Sequence, residues 1–185
     1  MNTGPMIDAL AAQVSLQRER ASEIALFPPE QLLKRPSPVA WNTLEILEHL
    51  NLSSGIYMRG LQKAFDQTDA RYAPNPVFAP GWLGNWFTNS LEPGPSGTIH
   101  WKMRTIKLFN PARQQGASRE SINRFLSLCD QLLALLDRAR GTDLNKIRVP
   151  SSLGPMVRFK AGDALRFPVA HQARHFLQIE KALRT

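Results

Sequence analysis

The sequence predicts an all-α fold, an antiparallel four-helix bundle with long irregular loops between helices 2 and 3 and before helix 4. Three observations predict it. Four segments carry apolar residues at helical spacing, stretches dense in proline and glycine separate them, and no convincing set of alternating strand patterns is present. Because 185 residues suffice for one well-packed core and are few for two, we expect a single domain over residues 1–185.

The first two predicted helices come before residue 66. The first runs from about Met6 to Leu26, where Pro28-Pro29 closes it. The second begins at Ser37-Pro38, a capping residue followed by the proline favoured at the first helical position, and reaches about Phe65. The apolar positions that define them are Ile7, Leu10, Val14, Ala21 and Ile24 in the first helix and Leu44, Leu47, Leu50, Tyr57, Leu61 and Phe65 in the second.

A long stretch between Thr68 and Ala117 interrupts the helical pattern. It is dense in proline, glycine and asparagine and holds three of the four tryptophans, so it predicts mostly turns and irregular chain with a functional role. The third helix then starts at Ser118, a good N-cap, and its strong apolar stripe ends at Gly141.

The start of the last helix is ambiguous. It follows a second irregular stretch, "VPSSLGPMVRFKAG", and Asp163 could cap it. Pro168 would then lie inside the first turns and cost a backbone hydrogen bond. Either the helix begins near Phe167, with Pro168 at its first position, or it kinks just before His171; the sequence leaves both open.

Composition predicts an ordinary globular protein, with 43% hydrophobic and 21% charged residues. No apolar run has the length of a membrane span, and no signal peptide is recognisable, so we expect a cytoplasmic protein without membrane contact. One cysteine, Cys129, fits a reducing compartment, and its apolar helical surroundings predict a core residue.

The net charge of +8 raises the question of a nucleic-acid partner. The basic residues are spread along the chain without a run of five or more, and no zinc-finger or RNA-recognition signature is present. A basic solvated surface is therefore the favoured interpretation, while attraction to acidic small substrates stays open.

Three of the four histidines form the main candidate site. His171 and His175 are four residues apart, so on a helix they share one face and can share one metal ion. His49, whose face-mates at helical spacing are largely apolar, supplies a third imidazole directed inward. Neutral imidazoles suit Ni²⁺ or Zn²⁺, but periodicity alone leaves buried, hydrogen-bonded histidines about equally favoured.

A family resemblance strengthens the metal interpretation. The segments "WNTLEILEHL" and "GDALRFPVAHQARHFLQIEKAL", with "KMRTIKLFNPAR" between them, resemble the DinB/YfiT-like superfamily of bacterial four-helix proteins. The resemblance covers about Met6 to Leu183 in element order. It implies that His49, His171 and His175 bind one divalent metal ion, Ni²⁺ or Zn²⁺. Pro168 and the long aromatic loop depart from the family pattern.

The resemblance also implies a function. Characterised members use a low-molecular-weight thiol in transfer or isomerisation, so we expect a metal-dependent enzyme of the thiol-dependent transferase type acting on a small molecule. The alternative is a non-catalytic metal-binding or interaction protein. A metal-dependent hydrolase and a nucleic-acid-associated protein are less favoured, and homodimerisation through helix faces is plausible.

Several other residues are candidates around the histidines. Glu45, one turn before His49, and Gln178, three residues after His175, could each orient an imidazole. His100 and Trp101 could line the pocket, and Arg174 is expected at the surface or on a substrate anion. Five aromatic residues could cover the site or merely pin the long loop, the latter being favoured: Phe78, Trp82, Trp86, Phe87 and Trp101.

Overall fold

The computed structural model describes residues 1–68, 71–94, 97–98, 105–113 and 116–185. In these ranges the chain forms six α-helices, two short 3-10 turns and one two-stranded sheet, so the predicted all-α class is confirmed. The helices are α1 (Thr3–Ile24), α2 (Pro29–Leu32), α3 (Thr43–Thr68), α4 (Trp82–Leu91), α5 (Glu120–Ala139) and α6 (Ala161–Leu183); the strands are β1 (Arg148–Ser151) and β2 (Gly154–Lys160); the 3-10 turns are Lys107–Phe109 and Pro111–Arg113.

Four long helices enclose the core. α1 packs on α5 and α6, and α3 packs on the same two helices. The apolar stripe predicted for each helix faces this interior, and its largest fully buried side chains include Tyr57, Phe65, Phe125, Ile7, Leu47, Leu50 and Leu61. Each such side chain contributes roughly 1.5–3 kcal/mol through its removal from water.

The start of α3 differs from the prediction at Ser37-Pro38. The helix begins at Thr43, and residues 37–40 form a turn in which the Ala40 amide donates to the Ser37 carbonyl. Asn42 and Glu45 form a reciprocal capping box: the Glu45 amide donates to Asn42 Oδ1, and the Asn42 amide donates to Glu45 Oε2, both at 2.9 Å. This cap fixes the first turn of the helix that carries His49.

The stretch predicted to be mostly irregular contains α4. This helix packs on α6 through Gly84, where a Cβ atom would lie 2.6 Å from Asp163 Cβ, so only glycine permits the approach. The Gly81 amide at the helix start donates to Asp163 Oδ2 at 2.7 Å. Asp163, considered from the sequence as a cap for its own helix, therefore binds the beginning of α4 instead.

A β-hairpin occupies the second stretch predicted to be irregular. β1 and β2 are antiparallel, with Val149 opposite Phe159 and both side chains buried. Gly60 of α3 lets the hairpin approach, since a Cβ there would lie 2.8 Å from Val149 Cγ1. Pro150 is tolerated because β1 is an edge strand in this two-stranded sheet.

Helix α6 contains Pro168, so the first predicted alternative, a start near Phe167, is wrong. It starts at Ala161, directly after β2, and continues through Pro168, which is buried inside it. Proline has no amide hydrogen, so the helical bond to the Ala164 carbonyl is absent. Next to this break, Gln17 Nε2 of α1 donates to the Val169 carbonyl at 3.2 Å. In the described part of the chain, no helix has the length and apolarity needed to cross a membrane.

Candidate metal centre

Helices α3 and α6 bring the three predicted histidines together. Nε2 of His171 lies 3.4 Å from Nε2 of His49 and 3.0 Å from Nε2 of His175. One ligand atom of each histidine lies within 4.8 Å of the others. His171 and His175 meet because they occupy successive turns of one helix face, and His49 faces them because its side of α3 packs on α6.

The Nδ1 atom of each histidine has a polar partner of its own. His49 Nδ1 donates to the Phe109 carbonyl at 2.8 Å, and His175 Nδ1 donates to Gln178 Oε1 at 2.9 Å. The Ser53 hydroxyl donates to the His49 carbonyl and lies 3.4 Å from His171 Nδ1. With hydrogens on all three Nδ1 atoms, the Nε2 lone pairs point at one another.

Burial favours the neutral form of these imidazoles. His49 and His175 are 4% and 7% exposed, and His171 is partly exposed. Burial lowers the pKa of His49, and the hydrogen bond to the Phe109 carbonyl partly opposes this effect. Burial, with a smaller contribution from the charge of His49, lowers the pKa of His175 to about 3. Burial, followed by the charges of His175 and His49, places the pKa of His171 well below its usual value.

The geometry fits a divalent ion. Two imidazole nitrogens that each lie about 2.1 Å from one ion are about 3.0 Å apart at a right angle and about 3.4 Å apart at the tetrahedral angle. The two Nε2 distances at His171 match these separations. In the tautomer that carries the hydrogen of every ring on Nδ1, the three Nε2 lone pairs have no hydrogen between them, and a cation there would accept all three. The triad could therefore hold a metal ion.

The triad lies in the wall of a cavity of about 530 Å³. Apolar and aromatic side chains from several elements form most of the wall. Trp41 lies with its ring centre 5.0 Å from that of His49, and Phe167 stacks on His171 at 5.9 Å. Other apolar residues that line the cavity are Phe87 and Leu91 of α4, Phe109 and Ile106 of the segment before α5, and Leu153 of the hairpin turn.

The charged residues that line the cavity are basic. Arg174 is 7% exposed and Lys181 is exposed, and both belong to α6. Burial lowers the pKa of Arg174 from its ordinary value. No aspartate or glutamate lines the cavity among the residues that the structure describes. The expected surface position of Arg174 is wrong, because the residue is buried and lines the same cavity as the triad.

The two residues proposed to orient the imidazoles have different surroundings. Gln178 contacts His175, as its spacing led us to expect. Glu45 does not reach His49: one carboxylate oxygen completes the capping box and the other accepts from Arg35 Nη2 at 2.6 Å. His100 and Trp101 lie outside the described residues.

The aromatic set is dispersed. Trp82 and Trp86 are 83% and 48% exposed, whereas Phe78 is buried against Gly162 at the start of α6. Only Phe87, of the four that the structure describes, lines the cavity. Cys129 is buried in the core as predicted, and burial raises the pKa of its thiol to about 12.

The sequence gives no direct indication of the polar partners at Ser53 and Phe109 or of the cavity walls at Trp41 and Phe167. Ser53 could have been found, because it lies one helical turn after His49. Phe109 acts through its backbone carbonyl, and a carbonyl leaves no signal in residue type.

The comparisons with known proteins give one match. The model of the DinB superfamily matches residues 13–179, which include all three histidines. No curated protein and no solved structure is significantly similar to the chain.

Proposed function

The chain belongs to the DinB superfamily, and on that basis we propose that it is a metal-dependent enzyme of the thiol-dependent transferase type, acting on a small molecule. We propose His49, His171 and His175 as ligands of one Ni²⁺ or Zn²⁺ ion. One observation carries the proposal: three Nε2 atoms converge in the wall of a cavity large enough for a small molecule.

An ion held by three neutral imidazoles keeps its full charge, and when bound it supplies a Lewis acid that favours the anionic form of a thiol. The protein's own residues prepare for this. The polar partners at Phe109, Ser53 and Gln178 orient the imidazoles, and the apolar walls reduce the access of water to the reacting groups.

The cavity favours a catalytic site over a purely structural one. A structural ion is enclosed by four protein ligands, whereas three ligands leave a position for substrate. Here the described residues offer three imidazoles, and all three line the cavity. The alternative is a non-catalytic metal-binding protein, and the experiments below distinguish it from an enzyme.

Metal content tests the ligand set. Protein purified without a histidine tag is expected to contain near-stoichiometric nickel or zinc by mass spectrometry, and His49→Ala and His171→Ala together are expected to abolish it. The matched control is Gln13→Ala, a half-buried residue of α1 that does not line this cavity. Metal content equal in the double variant and the control would contradict the proposed ligands.

Turnover tests the reaction class. Metal-loaded protein is expected to accelerate the attack of thiols such as cysteine, glutathione and coenzyme A on monochlorobimane, where the thiolate sulfur displaces chloride and a fluorescent thioether forms. Chelation is expected to remove the acceleration, and added Zn²⁺ or Ni²⁺ to restore it. A metal-loaded protein that accelerates none of these or other small thiols would favour the non-catalytic alternative.

A further inference from the structure

We infer that the cavity beside the histidine triad binds an anionic small molecule with an apolar body, whose acidic group is received by Arg174. The inference rests on the proposed function, because it names the chemical class of the second substrate of that site. It follows from the charge of the cavity, from its walls and from the position of one arginine.

The charge of the cavity selects for anions. Arg174 and Lys181 contribute two positive charges, and no carboxylate lines the cavity among the described residues. The three histidines are neutral and become ligands of a divalent cation in the proposed function, which adds further positive charge. A cavity with charges of one sign and low-dielectric walls attracts ligands of the opposite sign and repels those of its own.

The walls select for an apolar body. Most side chains that face the cavity are aromatic or aliphatic, and they come from separate parts of the chain, including Trp41, Phe87, Phe109, Leu153 and Phe167. A volume of about 530 Å³ is within the usual range for sites of small molecules. A ligand that carried only charge would leave these walls in contact with water, whereas one with an aryl or alkyl body would cover them.

Arg174 is the residue best placed to receive the acidic group. It precedes the ligand His175 on α6, lines the cavity and is 7% exposed, so a ligand anion would meet its guanidinium away from bulk water. A planar guanidinium can bind a carboxylate through two parallel hydrogen bonds, and such bonds strengthen where water is excluded. Lys181 is exposed and offers a single point charge.

A matched pair of ligands tests the inference. The probes are 4-phenylbutyrate and its neutral amide, 4-phenylbutyramide, which share one apolar body, and calorimetry measures their dissociation constants. Zinc-loaded protein is expected to bind the carboxylate at least tenfold more tightly than the amide. Arg174→Gln is expected to remove most of that ratio while changing the affinity for the amide by less than twofold.

The control is Arg59→Gln, which makes the same change in net charge at an exposed position of α3 that does not line this cavity. It is expected to leave the ratio unchanged. Equal affinities of the wild-type protein for the two probes, or a ratio that Arg174→Gln does not alter, would overturn the inference. If circular dichroism shows that Arg174→Gln is unfolded, Arg174→Lys replaces it. Arg174→Lys is then expected to weaken binding of the carboxylate at least threefold and to leave binding of the amide unchanged. An equal loss of affinity for both probes would also overturn the inference.

The same titrations on metal-free protein separate this inference from the proposed function. The effect of Arg174→Gln on the ratio is expected to persist there, because the guanidinium acts without the ion. If no metal binds to the triad but the ratio still depends on Arg174, the proposed function fails and the anion site stands. If metal binds and the ratio ignores Arg174, the anion site fails alone.

Discussion

The Nε2 atoms of His171 and His175 lie 3.0 Å apart on successive turns of α6, and Nδ1 of His175 donates to Gln178 Oε1. The hydrogen of His175 is therefore on Nδ1, and its Nε2 presents a lone pair to its neighbour. Positive charge on either ring would oppose the other, so the pair resists protonation. The relationship between these two rings determines how the protein responds to acid.

The stability of metal-free protein is expected to fall as the pH drops below about 6.5. The unfolded chain takes up protons on its histidines there, while the folded protein does not, because burial lowers the pKa of His175 to about 3. Each such histidine costs about 1.4 kcal/mol of unfolding free energy per pH unit below 6.5.

Denaturant titrations of wild-type protein and His175→Gln at pH 6.5 and 5 measure this effect. Carboxylates titrate in both proteins, so the difference between the two reports the loss of the His175 ring together with its charge effect on His171. The wild-type protein is expected to lose more stability than the variant by about 2 kcal/mol over this interval. Identical losses would mean that His175 is protonated equally in the folded and unfolded chains.

Ser53→Ala is expected to weaken metal binding by about 10- to 100-fold, since His171 Nδ1 loses its polar partner. Competition with a chromogenic zinc chelator measures the affinity. Ser54→Ala is the matched control: Ser54 is also buried, but its hydroxyl accepts from Gln172 Nε2 at 3.3 Å. Metal affinity that falls equally in both variants would point to general loosening of α3.

Glu45→Ala and Gln178→Ala are expected to have opposite effects. Glu45→Ala removes the capping box and the contact with Arg35, so it should cost roughly 1 kcal/mol of stability and leave metal affinity unchanged. Gln178→Ala should leave stability nearly unchanged and weaken metal binding, because His175 loses its partner. Thermal unfolding and zinc competition on both variants provide the measurements. A drop in zinc affinity for Glu45→Ala of tenfold or more would be incompatible with the capping role.

Gly84→Ala is expected to destabilise the protein by about 1–3 kcal/mol, because the new methyl group would overlap Asp163 and force α4 away from α6. It should also alter the cavity, since α4 carries Phe87 and Leu91. Gly4→Ala is the control: this glycine lies in α1 with nothing within 4 Å of a new Cβ, and its replacement should cost no stability. Denaturant unfolding compares the two, and equal effects would refute the close contact.

Long amphipathic segments were predictable because their evidence is repeated many times along the chain. α3 and α5 carry apolar residues at helical spacing over five or more turns, so a single misplaced residue cannot hide them. α4 has only ten residues, with Trp82 and Trp86 outside the core, and it depends on a contact between Gly84 and Asp163 that is distant in sequence. The hairpin was hidden by Pro150 and Pro155, which are unusual in strands.

The site divides in the same way. His171 and His175 are four residues apart, so the sequence itself indicates that they lie together. His49 is distant in sequence, and its place in the site could be predicted only by assuming that both helices face the same core. The position of Arg174 was harder to predict. The cavity that it lines is formed by α6 together with α4 and the hairpin turn, and the sequence of α6 alone gives no indication of it. Residue types alone do not describe an enclosed volume.

The bond between His49 and the Phe109 carbonyl has a consequence for how this site can diverge. The segment around Phe109 is also cavity wall, with Ile106 and Phe109 facing the space where a substrate would lie. Every amino acid carries a backbone carbonyl, so the side chains of this segment can be exchanged while the imidazole keeps its acceptor. Selection on what the pocket recognises is thereby uncoupled from selection on the ligand set, and new specificities can arise around an unchanged centre.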